Sequence, residues 1–185
     1  MGGAPLTGRR AVFLDRDGVL NRAPAGADGV VRPPANPQDL EIIPRAKEAC
    51  DLLRAGGYTL VVVTNQPDVP RGRLTRAAVE EMNRIVSTAL GLDDIRVCYH
   101  DDADRCACRK PAPGMLVDAA RDRGLDLRRS SIVGDSWRDM EAGRRAGCRT
   151  LFVGEHLAEP YRADMRAVDV LDAARMILRE DARTG

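Results

Sequence analysis

The sequence predicts an α/β chain: a doubly wound, mostly parallel sheet with helices on both faces. Three observations lead there. Short apolar runs of strand length alternate along the 185 residues with segments whose apolar residues recur at helical spacing. The runs are apolar throughout, as strands covered on both faces must be. Polar residues able to do chemistry follow the ends of the runs, where open α/β sheets bind ligands.

Residues 1–9 read as a loose, glycine-containing lead-in. The first strand is expected at about 11–15, from the run Ala11-Val12-Phe13-Leu14. A Pro/Gly/Ala-rich loop without helical or strand period covers about 22–39. Pro44 then opens a helix as its first-turn residue, with Ala46, Ala49, Cys50 and Leu53 as its buried stripe and Gly56-Gly57 as its stop. Tyr58 to Val63 is a second strand, and Thr64-Asn65-Gln66 leaves its end. Thr75 is the N-cap of a helix with Val79, Met82, Val86 and Ala89 on its apolar face, stopped by Gly91. A third strand covers Ile95 to Tyr99, a helix runs from about Pro113 to Arg123, and a fourth strand, Ser131-Ile132-Val133, ends in Gly134-Asp135. A helix from about Ser136 to Ala146, a fifth strand from Thr150 to Val153 and a last helix from about Val168 to Glu180 complete the pattern. In the last helix Leu171, Ala174, Ile177 and Leu178 share one side.

Hydrophobic residues make up 44% and charged residues 31%, an ordinary balance for a soluble globular protein with its own core, and 1–185 is read as one unit. Aromatics are only 3%, so Val, Leu, Ile and Ala must build that core. The net charge of +1 argues against nucleic-acid or membrane partners. No apolar run is long enough to span a membrane, and Met1 to Arg10 lacks the apolar stretch of a signal peptide. A cytoplasmic, monomeric enzyme is expected.

Cys98, Cys106 and Cys108 crowd into eleven residues, and His100 lies among them. With His100 they form a Cys₃His set, which favours tetrahedral zinc and leaves no ligand position for water. A structural zinc in a loop spanning 98–108 is therefore expected, holding in place Arg109 and Lys110 just beyond it. The intervening Asp101, Asp102, Asp104 and Arg105 would make a poor apolar plug, so the metal is expected to supply an order these side chains cannot. Cys50 and Cys148 stand apart and read as small buried residues.

The remaining signals concern phosphoryl chemistry. Asp15 and Asp17 leave the first strand, Thr64-Asn65 the second, and Asp135 with Asp139 the fourth, while Lys110 adds a cation. A carboxylate nucleophile, a metal and a lysine to neutralise phosphoryl oxygens, and hydroxyl and amide groups to orient them are what phosphoryl transfer requires. Asp15-Arg16-Asp17-Gly18-Val19-Leu20-Asn21, Thr64-Asn65-Gln66, Arg109-Lys110-Pro111 and Gly134-Asp135-Ser136 with Asp139 resemble the four motifs of the haloacid dehalogenase (HAD) superfamily of phosphatases, in the family's order. Cys98-Tyr99-His100…Cys106-Ala107-Cys108-Arg109-Lys110-Pro111 resembles the zinc loop of its D-glycero-D-manno-heptose 1,7-bisphosphate 7-phosphatase and histidinol-phosphate phosphatase branch.

The resemblance implies a Rossmann-like sheet. It implies Asp15 as nucleophile and Asp17 as general acid, then base. Mg²⁺ would be held by Asp15, the Asp17 carbonyl and Asp135, with Asp139 one layer behind. Thr64, the Asn65 amide and Lys110 would bind the phosphoryl oxygens, Gln66 would belong to the substrate-binding residues with Asn65, and Arg109 would touch the substrate beyond the phosphate. A sugar phosphate, above all the heptose bisphosphate, is the expected substrate, with histidinol phosphate the alternative; a phospho-accepting receiver is the non-enzymatic one. Asp17 argues against a receiver, which should retain its phosphate. Pro67-Asp68-Val69-Pro70-Arg71-Gly72 departs from the heptose pattern, and Ser136 stands where lysine is frequent. Only 46 residues separate Asp17 from Thr64 and 45 separate Thr64 from Lys110, too few for a large cap domain.

Overall fold

The computed structural model describes residues 8–23 and 32–184. Six parallel strands form one sheet in the order β3-β2-β1-β4-β5-β6. They are β1 (Ala11–Leu14), β2 (Thr59–Asn65), β3 (Asp94–Cys98), β4 (Ser131–Gly134), β5 (Arg149–Val153) and β6 (Met165–Ala167). The chain leaves β1 toward β2 on one side and later returns to lay β4 on the other. The order thus reverses at β1, and a crevice opens beyond the carboxyl ends of β1, β2 and β4.

Burial explains why the strand sequences lack alternation. Val12, Leu14, Leu60 and Val62 pack into one core, while Ala11, Phe13, Val61 and Val63 pack into another across the sheet. All eight are fully buried, so both faces demand apolar side chains. Each large one contributes roughly 1.5–3 kcal/mol by leaving water. The first core is covered by α1 (Ala46–Ala55), α5 (Val170–Thr184) and part of α2 (Arg76–Leu90). The second is covered by α3 (Gly114–Arg123) and α4 (Trp137–Ala146).

The predicted stripe of α1 is the observed one: Ala46, Ala49, Cys50 and Leu53 are its buried residues. Its start differs, because Pro44 and Arg45 precede the first helical turn. Thr75 caps α2 as expected, its hydroxyl accepting from the Ala78 amide at 3.1 Å. Ala89 is exposed, however, and Leu90 takes the buried position. β2 runs two residues further than expected, carrying Thr64 and Asn65 into the sheet. β6 escaped the sequence reading because a three-residue edge strand, Met-Arg-Ala, carries no period to detect. Within the 22–39 loop, residues 24–31 lie outside the described residues, as do 1–7 of the lead-in; Pro37–Asp39 form a single 3₁₀ turn capped by Asn36. No helix among the described residues is long and apolar enough to cross a membrane.

Candidate active site

Asp15 follows β1 directly, and its neighbours are strand ends. Lys110, from the loop between β3 and α3, reaches in to donate to Asp15 Oδ1 at 2.8 Å, Asp139 Oδ1 at 2.5 Å and the Val63 carbonyl at 2.7 Å. Its position is fixed from behind by Asn65 on β2. The Asn65 side chain accepts from the Lys110 amide and donates to the Lys110 carbonyl, both at 3.0 Å. Carboxylate oxygens of Asp15, Asp135 and Asp139 lie within 4.8 Å of one another.

That crowding has an electrostatic consequence. Burial drives the Asp15 carboxyl well above its ordinary range; Lys110 opposes the rise and Asp139 and Asp135 add to it. Burial, then Asp139, lifts Asp135 to about 6. Burial would lower Lys110, but Asp139 and Asp15 outweigh it and hold the ammonium charged above its ordinary value. With all three ionised, the clustered carboxylates of Asp15, Asp135 and Asp139 share one ammonium, that of Lys110, leaving an excess of two negative charges. A divalent cation cancels that excess. Asp15 and Asp135 suit it best, because both Asp139 oxygens are engaged: Oδ1 by Lys110 and Oδ2 by the Ser136 amide at 3.1 Å. Asp139 thus steadies Lys110 and caps α4 as the third residue of a capping box with Ser136.

Gly18 is the residue this arrangement cannot replace. Its φ is +91°, and a Cβ there would lie 1.9 Å from Asp135 Oδ2. Both the turn after Asp17 and the approach of Asp135 therefore require glycine.

Asp17 sits at the cleft wall with donors on every side. Arg16 reaches it through Nε at 3.2 Å and Nη2 at 2.9 Å, Asn21 Nδ2 at 2.9 Å and Gln66 Nε2 at 2.8 Å. Gln66, expected to touch substrate, is wholly buried and braces Asp17 and Thr64 from behind. Because Thr64 Oγ1 accepts from Gln66, its own proton remains available to an anion in the cleft. Asn65 likewise spends its side chain on the Lys110 backbone. Arg109 lines the cleft, held by Asp102 at 2.7 Å and the His100 carbonyl at 3.2 Å.

The cleft has a volume of about 560 Å³ and a cationic mouth formed by Arg32, Arg71, Arg73, Arg109 and Arg138. Asp68, from the atypical turn, moderates it by pairing with Arg71 at 3.8 Å and Arg73 at 3.5 Å.

The Cys/His loop lies at one end of the cleft. The ligand atoms of Cys98, His100, Cys106 and Cys108 all fall within 4.8 Å of one another. Sulfur–sulfur separations are 3.2–3.7 Å and His100 Nδ1 is 3.3 Å from Cys108 Sγ. Burial pushes the Cys98 thiol far up. At Cys106 burial acts the same way, but hydrogen bonds led by the Arg109 amide overcome it and lower the thiol. The loop has more order of its own than its composition suggests. Asp101 and Asp104 form a capping box around a 3₁₀ turn, and Asp101 takes a bidentate pair of 2.6 Å bonds from Arg71.

Sequence reasoning missed Arg16, Asn83 and Gly18. Asn83 had a signal: it occupies a position in the apolar stripe of α2, between Val79, Met82 and Val86.

Comparison with known proteins agrees with this geometry. Residues 107–174 match the family model described as HAD-hydrolase-like. The chain is 37% identical over 144 residues to the D-glycero-β-D-manno-heptose-1,7-bisphosphate 7-phosphatase of Bordetella bronchiseptica, covering 75% of this chain and 77% of that one. It is 36% identical over 154 residues to the D-glycero-α-D-manno-heptose-1,7-bisphosphate 7-phosphatase of Mycobacterium tuberculosis, covering 77% and 78%. The crystal structure of the D,D-heptose 1,7-bisphosphate phosphatase from B. bronchiseptica, complexed with magnesium and phosphate, superposes with a TM-score of 0.74 at 33% identity, over 92% of this chain and 99% of that one. With its motifs gathered at the reversal of a parallel sheet, and relatives of this similarity over most of its length, the chain belongs to the HAD-like phosphatases, in the family of the heptose-1,7-bisphosphate 7-phosphatases.

Proposed function

We propose that this enzyme removes the 7-phosphate of D-glycero-D-manno-heptose 1,7-bisphosphate, or of a closely similar sugar phosphate, through an aspartyl-phosphate on Asp15. One observation carries the reading: Asp15 lies within reach of Lys110 and Asp135 on a cleft wall that also presents Asp17 and Thr64. An Asp15 carboxylate oxygen attacks phosphorus while the bond from phosphorus to the sugar oxygen breaks. Asp17 gives its proton to that departing oxygen. The resulting Asp17 carboxylate then takes a proton from a water that attacks the aspartyl-phosphate, freeing Asp15 and inorganic phosphate. Lys110 and the Thr64 hydroxyl bind the phosphoryl oxygens throughout.

Asp15, Asp135 and the Asp17 carbonyl would hold Mg²⁺, as the excess negative charge of the site favours. When bound, the ion lets Asp15 ionise beside two other carboxylates and neutralises charge on the phosphoryl group. Cys98, His100, Cys106 and Cys108 would hold a structural zinc; the donor set and its close spacing support this. The arginine-rich mouth suits a substrate with a second anionic group beyond the scissile phosphate.

Phosphate release with Mg²⁺ present tests the reading, comparing the α and β anomers of the heptose bisphosphate with histidinol phosphate. Turnover should be strongest on one heptose anomer, and Asp15→Asn should abolish it while leaving the fold intact. Preference for histidinol phosphate would overturn the substrate, and normal turnover by Asp15→Asn would overturn the covalent route.

A further inference from the structure

Arg16 carries a charge that none of the steps above uses. It is fully buried, yet it sits between the nucleophile and the acid–base. Its guanidinium lies across the Asp17 carboxylate, with Nη2 at 3.1 Å from Oδ1 and 2.9 Å from Oδ2, and Nε at 3.2 Å from Oδ1. The remaining arm, Nη1, donates to Asn83 Oδ1 at 2.7 Å. Asn83 is itself only 7% exposed. A polar side chain inside the apolar stripe of α2 is costly unless it has a partner, and here the partner is Arg16.

We propose that Arg16, anchored by Asn83, is the positioning residue for the general acid–base: the guanidinium plane sets the orientation of the Asp17 carboxylate toward the scissile and attacking oxygens. The inference rests on the role given to Asp17 above. A two-point guanidinium–carboxylate contact fixes the plane of the acceptor as well as its distance. Orientation matters because proton transfer by a placed side chain is worth about 10²–10⁴ in rate, and displacement of about 1 Å can forfeit 10²-fold. Lysine could supply the charge at position 16 but not the fork. Asn83 transmits the rigidity of a fifteen-residue helix to the third arm of that fork.

A purely structural Arg16 would slow every substrate alike when disturbed. A positioning Arg16 would slow only steps that need a proton moved. The test compares kcat/KM for the sugar phosphate, whose alkoxide leaves only with a proton, and for p-nitrophenyl phosphate, whose phenolate leaves without one. Arg16→Lys and Asn83→Leu should lose at least about tenfold on the sugar phosphate and less than about threefold on the aryl ester. Rapid mixing with the aryl ester should show a burst of p-nitrophenolate, because water attack on the aspartyl-phosphate still needs Asp17 and becomes limiting. Asn83→Asp, which keeps an acceptor for Nη1, should restore the wild-type ratio. Equal losses on both esters, or none on either, would overturn the proposal. Asp17→Asn serves as the reference: if it shows the split and the Arg16 and Asn83 variants do not, only the positioning role fails. If Asp17→Asn shows no split, the role of Asp17 fails, and this proposal with it.

Discussion

Replacing Lys110 with methionine separates what this residue does for the fold from what it does for the reaction. Lys110 is 2% exposed and Asp139 is 1% exposed, so the bond between them is sealed from water. Removing one partner of a buried pair leaves the other charge uncompensated, at a cost of about 3–5 kcal/mol. For a chain of this length that corresponds to a fall in Tm of about 6–20 °C. Lys110→Met should show it in thermal melts with chelator present. Asp139→Asn added to Lys110→Met removes the stranded charge while keeping an oxygen for the Ser136 amide, and should recover roughly half the loss. Activity should respond differently. Both the single and the double variant should lose about 10²-fold or more in kcat, because the phosphoryl oxygens no longer meet a cation. A double variant no more stable than Lys110→Met would refute the pairing. Near-normal turnover by either would refute the role at the phosphate.

Two further outcomes follow from the charges and sulfurs of the site. The Asp135 carboxyl, lifted from its ordinary 3.8 to about 6, keeps in the folded state a proton that the unfolded chain has released; chelated wild-type protein should therefore lose stability relative to Asp135→Asn as pH rises across that window. The Mg²⁺-induced rise in Tm should grow over the same interval, since the ion binds the carboxylate, and a rise independent of pH would sink this account. Elemental analysis should find zinc bound, and Cys106→Ser should lose it along with at least about tenfold of activity, because the Arg109 amide donates to Cys106 Sγ at 3.3 Å immediately before Lys110. A Cys106→Ser protein that keeps full activity without zinc would show the loop to be independent of the catalysis.

Much of this molecule is visible in its sequence where one force dominates. Phe13 and Val61 are apolar because both faces of the sheet are covered, so strand-length apolar runs locate β1, β2, β4 and β5. Ala46, Ala49, Cys50 and Leu53 locate α1 because a helix against a sheet buries one stripe. β6 stayed hidden because edge strands need little burial: Arg166 is exposed and Met165 only partly covered. In the site, residue types at strand ends pointed to Asp15, Asp17, Thr64, Lys110 and Asp135, since phosphoryl chemistry needs acids, a cation and a hydroxyl. The same reasoning misjudged Gln66 because it sees which groups can bond but not which way they face. Gln66 turns inward to Asp17, a fact set by tertiary packing alone. Arg16 was overlooked for a similar reason: between two acids, arginine reads as a solvated residue until burial shows otherwise.

The placing of Lys110 shows how the pieces depend on one another. A lysine on a loop should be imprecisely placed, since loops hold their residues less firmly than strands do. Here the loop is pinned at three points. The Asn65 side chain, at the carboxyl end of β2, grips the Lys110 amide and carbonyl as a neighbouring strand's backbone would. The Val63 carbonyl and Asp139 fix the ammonium itself. Cys106 holds the Arg109 amide one residue upstream. Lys110 is thereby held as firmly as a strand residue although it stands on a loop. Precision within about 0.5 Å is what a preorganised charge needs to act on a transition state. The one link from the sulfur cluster to Lys110 seen here is the bond from the Arg109 amide to Cys106 Sγ, so the Cys106→Ser variant asks directly whether that link sets where Lys110 stands.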